Sequence, residues 1–330
     1  MKAVIWTNYG APEVLQLQEV AKPTPKDDQV LIRIHAATVT AGDCEIRSLR
    51  FPAWLAVPMR LYAGINRPTR VTILGQEFAG DVEAVGKDVT AFQVGDAVFG
   101  TTGFGVGTYA EYVCLPAVPE EGALAHKPAS MSYAEAAGVP TGGLEALHFL
   151  RKANIQPGET LLINGAGGSI GTFAVQLAKQ HFGAEVTAVD SAAKLDLLRA
   201  LGADHVIDYT QQDFTRNGAT YDVILDVVGK SPFGRSVRSL NANGRYLIAN
   251  PRLAKAFRGL WTSRLTNKQV ILEMTTQRTA DLIYLGQLIE AGTIKSVVDR
   301  RYPLAQTAEA HRYVEQELKQ GHVIITVIDD

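Results

Sequence analysis

Cysteine and long apolar runs are both scarce in this 330-residue chain, and each scarcity excludes a class of protein. Two cysteines, Cys44 and Cys114, are too few for the disulfide framework of a small secreted domain. No run approaches the roughly 18 apolar residues that span a bilayer. The start, Met1–Trp6, is too short for a secretory signal and is predicted to be a strand. We therefore expect a cytoplasmic protein.

An excess of charge of either sign is also missing. The chain has 32 Lys and Arg against 34 Asp and Glu, a formal net charge of −2. This balance argues against general binding to nucleic acid or to an acidic membrane. The composition, 46% hydrophobic and 20% charged, is that of a globular protein, and the length suggests two domains.

A glycine-rich turn is the most informative feature that is present. Thr160–Gly171 has the pattern of a strand, a tight turn and the start of a helix. Its small residues occupy the positions that let backbone N–H groups at a helix N-terminus approach the diphosphate of a dinucleotide. Asp190, 19 residues after Gly171, ends the next predicted strand, where such folds hold the adenosine ribose. A turn that served only to join strand and helix would leave Asp190 unexplained. The predicted diphosphate-binding residues are Gly165, Ala166, Gly167, Gly168, Ser169, Ile170 and Gly171.

The rest of the chain divides into two patterns. Residues 1–123 contain short β-branched or alternating runs broken by Pro or Gly, which predicts strands. From residue 132 helices and strands alternate, which predicts a parallel sheet with helices on both faces. A β-branched run closes the chain at 322–328, and such a strand commonly pairs with an earlier domain. We predict a discontinuous first domain, 1–123 and 277–330, with a dinucleotide-binding domain, 124–276, inserted into it. A ligand is expected in the cleft between the two, at the carboxyl ends of the strands.

Seven motifs occur in a fixed order along the chain, and they are Leu74–Gly80, Val94–Val98, Gly107–Tyr112, Gly138–Leu144, Gly165–Gly171, Leu201–Tyr209 and Tyr221–Gly229. Their order and spacing together resemble the medium-chain dehydrogenase/reductase family, and within it the zinc-free quinone oxidoreductase-like branch. The resemblance covers essentially the whole chain. It implies an α/β fold in which a doubly wound Rossmann sheet is inserted into a GroES-like, partly open β-barrel domain. It also implies hydride transfer between a nicotinamide cofactor and a quinone or an α,β-unsaturated carbonyl, and a homodimer that often forms through Rossmann-sheet edges.

Zinc relatives of this family bind a catalytic metal, and the positions that match its ligands here are Thr40, Gln76 and Thr141. Two hydroxyls and an amide carry no charge and are poor ligands for Zn²⁺. We therefore expect no metal. Without one, the accessible reaction is hydride delivery to an acceptor that already delocalises charge, such as a quinone, an enone or an enal.

The candidate catalytic residues follow from the same resemblance. Thr40 and Thr141 are expected near the nicotinamide, and Asn250 is expected to touch the nicotinamide side from the end of a strand. Tyr109 is either a hydrogen-bond donor to a substrate carbonyl or a packed aromatic residue whose hydroxyl is satisfied elsewhere. No general acid stands out in the sequence, so solvent is expected to protonate the reduced substrate.

The choice of cofactor rests on opposing signals. The carboxylate of Asp190 favours NAD, because it accepts hydrogen bonds from a free ribose 2′-OH and repels a 2′-phosphate. Ser191 and Lys194 suit a 2′-phosphate if Asp190 is turned away, and the resemblance implies NADPH. We expect NADPH, with NADH as the alternative.

Two other functions stay open. The arginines between Ile46 and Arg70 suit an enoyl-thioester reductase that receives its substrate on a carrier. The unusual residues at Thr40, Gln76 and Glu145 suit a non-catalytic protein that binds the cofactor for structure or regulation. Segment 46–70 itself is either a short amphipathic helix over a cleft or a surface excursion packed on the barrel.

Overall fold

The computed structural model describes residues 1–51, 53–103, 105–249, 253–273 and 275–328. These residues form two compact units. The first comprises Met1–Thr141, Gln277–Glu290 and Ser296–Asp330, and the second comprises Gly142–Thr276 and Ala291–Lys295. The second unit is therefore inserted into the first, and the domain boundaries given above stay predictions.

The strands of the described residues are numbered in chain order. They are β1 Lys2–Trp6, β2 Leu15–Glu19, β3 Gln29–Val39, β4 Glu77–Val85, β5 Ala97–Thr101, β6 Tyr112–Pro116, β7 Ala123–His126, β8 Thr160–Asn164, β9 Glu185–Asp190, β10 His205–Asp208, β11 Tyr221–Asp226, β12 Leu240–Ile248, β13 Gln269–Ile271, β14 Val298–Pro303 and β15 His322–Thr326.

The α-helices of the described residues are numbered in the same way. They are α1 Ala41–Ser48, α2 Ala53–Ala63, α3 Tyr133–Ala137, α4 Pro140–Ala153, α5 Ser169–Gln176, α6 Leu195–Ala200, α7 Phe233–Arg238, α8 Leu253–Leu265, α9 Thr279–Glu290 and α10 Thr307–Glu315. Among the described residues, no helix combines the length and the apolar character that crossing a bilayer requires.

The first unit is built on a mostly antiparallel sheet with the order β14-β15-β3-β4-β5-β7, and β6 also pairs with β3. Strand β3 holds this sheet together because it pairs with β4, β6 and β15 along its eleven residues. One face of it carries Ile32 and Ile34, which pack with Phe78 and Val98 in an apolar cluster that excludes water. Helix α3 packs on β3 and β4, which explains why residues up to Thr141 belong to this unit.

The second unit is a parallel sheet with the order β10-β9-β8-β11-β12-β13. Leu161, Leu162 and Ile163 of β8 are fully buried, as expected for a central strand covered on both faces. The chain moves outward from β8 in one direction through β9 and β10, and then in the other through β11, β12 and β13. This reversal confirms the doubly wound sheet, and it places a topological switch point between the carboxyl ends of β8 and β11.

Some predicted elements are wrong in detail. The alternating run 109–115 predicts a strand, but β6 begins only at Tyr112, and Ala110 instead forms an isolated bridge with Ala3 of β1. The sequence of residues 170–182 predicts a single helix, but α5 ends at Gln176 and the chain continues as a π-helical turn, Leu177–His181. Segment 46–70 contains the end of α1 and the whole of α2.

Candidate functional site

The glycine-rich turn joins β8 to α5 at the switch point of the parallel sheet. Gly165 has a φ of +86°, a left-handed conformation that favours glycine, and it makes the tight turn. Gly171 lies where a Cβ atom would come within 2.4 Å of the Gly165 carbonyl oxygen, so only glycine lets α5 pack this closely. Gly168 differs from both, since a Cβ there would meet nothing nearer than 3.8 Å. Its missing side chain leaves open space in front of the helix.

Several backbone N–H groups of the turn are already used. Those of Gly165 and Ala166 donate to the Val189 carbonyl at 3.0 and 3.2 Å, and that of Gly167 donates to the Asp190 carboxylate at 2.8 Å. The first turn of α5 begins at Ser169, and the backbone N–H groups of a helix's first turn point out of its N-terminus. Its N-cap, Gly168, has no side chain to cap them. The start of α5 is therefore the part of the predicted set that is arranged to bind an anion.

Asp190 ends β9, and its side chain points into the turn. One carboxylate oxygen accepts the Gly167 N–H at 2.8 Å, and the other accepts the Ser191 N–H at 2.8 Å. Lys194 Nζ lies 3.2 Å from the second oxygen, and both side chains are about nine-tenths buried. The hydrogen-bonding capacity of Asp190 is thus largely used within the protein. Asp190, Ser191 and Lys194 lie together, as a cofactor-binding site on this unit requires.

Two residues beside this turn were missed by the sequence reasoning. Tyr209 follows β10, is 59% exposed, and its N–H donates to the Asp190 carbonyl at 3.1 Å. An exposed aromatic ring at the strand end where adenosine is expected is a candidate for stacking on the adenine. Asp226 is fully buried below the switch point and accepts from Asn164, Gly229 and Tyr246 at 2.8 to 3.0 Å. It fixes the strand ends of β8, β11 and β12.

On the first unit, Thr40 lies at the N-terminus of α1. Its hydroxyl accepts the Asp43 N–H at 3.1 Å and donates to Asp43 Oδ2 at 2.7 Å, and its own N–H donates to the same oxygen at 2.8 Å. This reciprocal capping box fixes both side chains. Asp43 is fully buried, and burial raises the pKa of its carboxyl although the hydrogen bonds from Thr40 lower it.

Thr141 lies beside a second buried carboxyl. Its N–H donates to Glu77 Oε1 at 2.6 Å, and the Thr38 hydroxyl donates to the other carboxylate oxygen of Glu77. Burial raises the pKa of Glu77 to about 7, and the nearby charge of Asp43 adds to the rise, against the hydrogen bonds that lower it. The Thr141 hydroxyl is buried and makes no hydrogen bond of ordinary geometry within the part of the chain described. The hydroxyl nevertheless lies close enough to Glu77 to lower the pKa of that carboxyl, so its contact with a bound molecule stays a prediction.

Tyr109 is fully buried, and its hydroxyl lies 3.2 Å from His311 Nε2. The other ring nitrogen of His311 lies 3.4 Å from the Cys44 sulfur. Burial lowers the pKa of His311 to about 3, with the charge of Arg47 adding to the effect, so the ring is neutral at physiological pH. Burial, followed by the charge of Asp43, raises the pKa of Tyr109 well above its usual range. The hydroxyl thus has a protein partner, and its role as a substrate donor stays a prediction.

A zinc ion does not fit the donor set of this unit. The Thr40 hydroxyl is engaged with Asp43, and the Gln76 side-chain amide donates to the Gly103 carbonyl at 3.0 Å. Thr141 offers one neutral hydroxyl. Across the described residues, no three His, Cys, Asp or Glu side chains come together as a metal site. Asn250, the remaining predicted cofactor residue, lies outside the described residues.

Two family models match the chain. One, described as "Alcohol dehydrogenase GroES-like domain", matches residues 26–124, and the other, described as "Zinc-binding dehydrogenase", matches residues 201–325. The first match confirms that the strand-rich unit contains a GroES-like domain. The second concerns the parallel-sheet region and the end of the chain, and includes none of Thr40, Gln76 and Thr141.

Individual proteins match over nearly the full length. The chain is 33% identical over 337 residues to "2-methylene-furan-3-one reductase" of Solanum lycopersicum, which covers 98% of this chain and 79% of the relative. It is 32% identical over 338 residues, with the same coverage, to "NADPH-dependent alkenal/one oxidoreductase, chloroplastic" of Arabidopsis thaliana. Among solved structures, the quinone oxidoreductase from Coxiella burnetii has a TM-score of 0.88 at 30% identity and covers 99% of both chains.

Proposed function

Because the chain belongs to the medium-chain dehydrogenase/reductase family, in its quinone oxidoreductase-like branch, we propose that it is an NAD(P)H-dependent oxidoreductase that reduces quinones or α,β-unsaturated carbonyls. The observation that carries this proposal is the open space in front of Gly168 at the start of α5, at the switch point of a parallel sheet. That geometry suits the diphosphate of a nicotinamide dinucleotide. The names of the two plant relatives and of the Coxiella protein support the acceptor class.

When bound, the nicotinamide supplies a hydride. The protein's part is to bind the diphosphate at α5, to hold the adenosine near Asp190 and Tyr209, and to place hydrogen-bond donors near the acceptor. We propose that Thr40 and Thr141 line the nicotinamide site, where their backbone N–H groups are fixed by two buried carboxyls, Asp43 and Glu77. Quinones and enones suit such a site because the charge that forms on their oxygen is delocalised.

We further propose NADPH as the preferred cofactor. Asp190 is engaged by Gly167, Ser191 and Lys194, which supports a carboxylate that does not bind a ribose 2′-OH. Lys194 supplies a positive charge at the same strand end. The kcat/KM values for NADPH and NADH with one acceptor test this proposal, and Lys194→Gln is expected to lower the ratio by about tenfold because it removes the counter-charge of the phosphate.

We propose that the protein is a homodimer formed at the β13 edge of the parallel sheet. Strand β13 ends the described sheet, and α8, which packs beside it, exposes Leu260, Trp261 and Leu265 by 59%, 66% and 73%. An unpaired edge next to exposed apolar side chains supports pairing with a second copy. Light scattering after size-exclusion chromatography measures the assembly, and Trp261→Ser combined with Leu265→Asp is expected to yield monomers.

The proposed reaction is tested by following NADPH oxidation with a small quinone, an enal and a crotonyl thioester. Turnover with the quinone or the enal is expected, and turnover with the thioester alone would favour the enoyl-thioester alternative. Gly168→Val is the control, because it fills the open space in front of α5 and should abolish cofactor binding. Tight binding of NADPH without turnover of any acceptor would contradict an enzymatic role.

A further inference from the structure

Helix α2 turns large apolar side chains towards solvent. Val57 and Leu61 are four residues apart in α2 and so lie along one side of the helix, and they are 58% and 55% exposed. Ile65, two residues beyond the end of the helix, is 63% exposed. Tyr62 beside them is 48% exposed, whereas Ala63 on another side of the helix is buried. We call Val57, Leu61, Tyr62 and Ile65 the α2 crest. A surface helix normally turns such residues inward, and a contiguous exposed set marks an interaction site.

The α2 crest lies in a segment of one charge. Residues 46–76 contain five arginines and no Asp or Glu. Arg47 is buried and paired with Glu315, but two others have guanidinium groups at the crest itself. Arg60 donates to the Ile65 carbonyl at 2.6 Å, and Arg70 donates to the Leu61 carbonyl. The net charge of the whole chain, from which we expect no membrane partner, therefore does not reveal this local concentration of positive charge.

The combination of apolar crest and flanking arginines favours one class of partner. A helix that exposes apolar side chains within a segment rich in arginine and free of Asp and Glu is typical of helices that lie in the interface of an anionic bilayer. Arginines alone would suffice to bind an acidic protein or a phosphate-bearing carrier. Neither partner would explain why four large apolar side chains are exposed to water beside these arginines. We propose that the α2 crest docks on an anionic lipid surface. The docking does not depend on the proposed reaction.

Co-sedimentation of the full chain with lipid vesicles tests this proposal. Binding is expected to vesicles of phosphatidylcholine mixed with phosphatidylglycerol and not to phosphatidylcholine alone. Leu61→Ser combined with Ile65→Ser should weaken binding about tenfold or more, because each apolar side chain contributes by burial in the interface. Arg67→Gln combined with Arg70→Gln should weaken it by about fivefold per charge removed. The control is Leu318→Ser, which removes a leucine of similar exposure, 58%, outside α2.

Three results would overturn the proposal. They are equal binding to neutral and anionic vesicles, serine variants of the crest that bind as the unmodified protein does, and a Leu318 variant that loses as much binding as they do. Capture by soluble polyglutamate without any vesicle binding would assign the arginines to an acidic protein partner instead. Circular dichroism and thermal unfolding of each variant confirm that the crest substitutions leave the fold intact.

Discussion

Replacing Asp190 by asparagine separates two roles for this carboxylate. In the structure it binds the Gly167 and Ser191 N–H groups, each at 2.8 Å, and pairs with Lys194 at 3.2 Å. The amide of the variant would keep one acceptor oxygen and lose the charge. We expect the turn to keep its shape, because the two side chains have almost the same volume, while the buried ion pair disappears.

The magnitudes follow from these contacts. One lost hydrogen bond to a charged acceptor and a broken buried pair together cost about 3 kcal/mol of the free energy of unfolding. The 2′-phosphate of NADPH carries close to two negative charges, and removing a nearby carboxylate favours it by about 1 kcal/mol, or about fivefold in kcat/KM. The kcat/KM with NADH should change by less than about threefold, because the carboxylate is used within the turn and not by the ribose.

The assay compares kcat/KM for NADPH and NADH at a fixed quinone concentration, together with urea unfolding of the cofactor-free protein. Lys194→Gln serves as the matched variant, since it removes the other member of the ion pair and should shift the preference in the opposite direction. A loss of more than about tenfold with NADH alone, at unchanged stability, would refute the reasoning and show that Asp190 holds the ribose hydroxyls.

Three further predictions concern the turn and the buried groups. Gly168→Val should weaken NADPH binding at least about a hundredfold in calorimetry with little change in the free energy of unfolding. Gly171→Val should lower the free energy of unfolding by about 2–4 kcal/mol. Equal effects of the two variants on the free energy of unfolding would contradict this distinction. Glu77 has a folded pKa of about 7 against an ordinary value of 4.5, so its contribution to the free energy of unfolding is complete below pH 4.5 and is lost as the pH rises through 7. The Glu77→Gln variant should therefore flatten the dependence of stability on pH over this range. An unchanged dependence would show that Glu77 does not titrate there. Tyr109→Phe should cost about 1–3 kcal/mol on urea unfolding because it leaves the His311 ring unsatisfied, and a fall in kcat at unchanged stability would instead support a donor role.

The parallel sheet was predictable because its signals are local. Each of its central strands is a short apolar run that begins after a turn residue, and the glycine turn identifies where β8 ends and α5 begins. The register of these strands depends on neighbours already adjacent in the βαβ order. Strand β14 was missed for the opposite reason: its Asp299, Arg300 and Arg301 give no apolar alternation, and it forms because β15 supplies a partner. Charged residues of this kind are common on edge strands.

The candidate site was predictable in its residue types and not in its orientations. The spacing to Asp190 is visible in the sequence, but the direction of its carboxylate depends on the Gly167 N–H and on Lys194. Tyr109 shows the same limit over a longer distance, because its hydroxyl partner, His311, lies 202 residues further along the chain. A contact between residues so far apart in the chain leaves no local sequence pattern. The sequence therefore left two alternatives for the Tyr109 hydroxyl, and the structure shows its contact with His311.

The pairing of β15 with β3 has a consequence for biosynthesis. Val323 to Thr326 pair with Ala36 to Val39. The antiparallel sheet of the first unit is therefore complete only when the ribosome has added residues that follow β3 by about 280 positions. All residues of the inserted unit, Gly142–Thr276 and Ala291–Lys295, are synthesised before these residues, so this unit can fold first. Until translation reaches Thr326, the β3 edge lacks this partner and offers unpaired backbone to other nascent chains. Premature termination before His322 is therefore expected to yield aggregated product, even though every residue of the nucleotide-binding turn has been made.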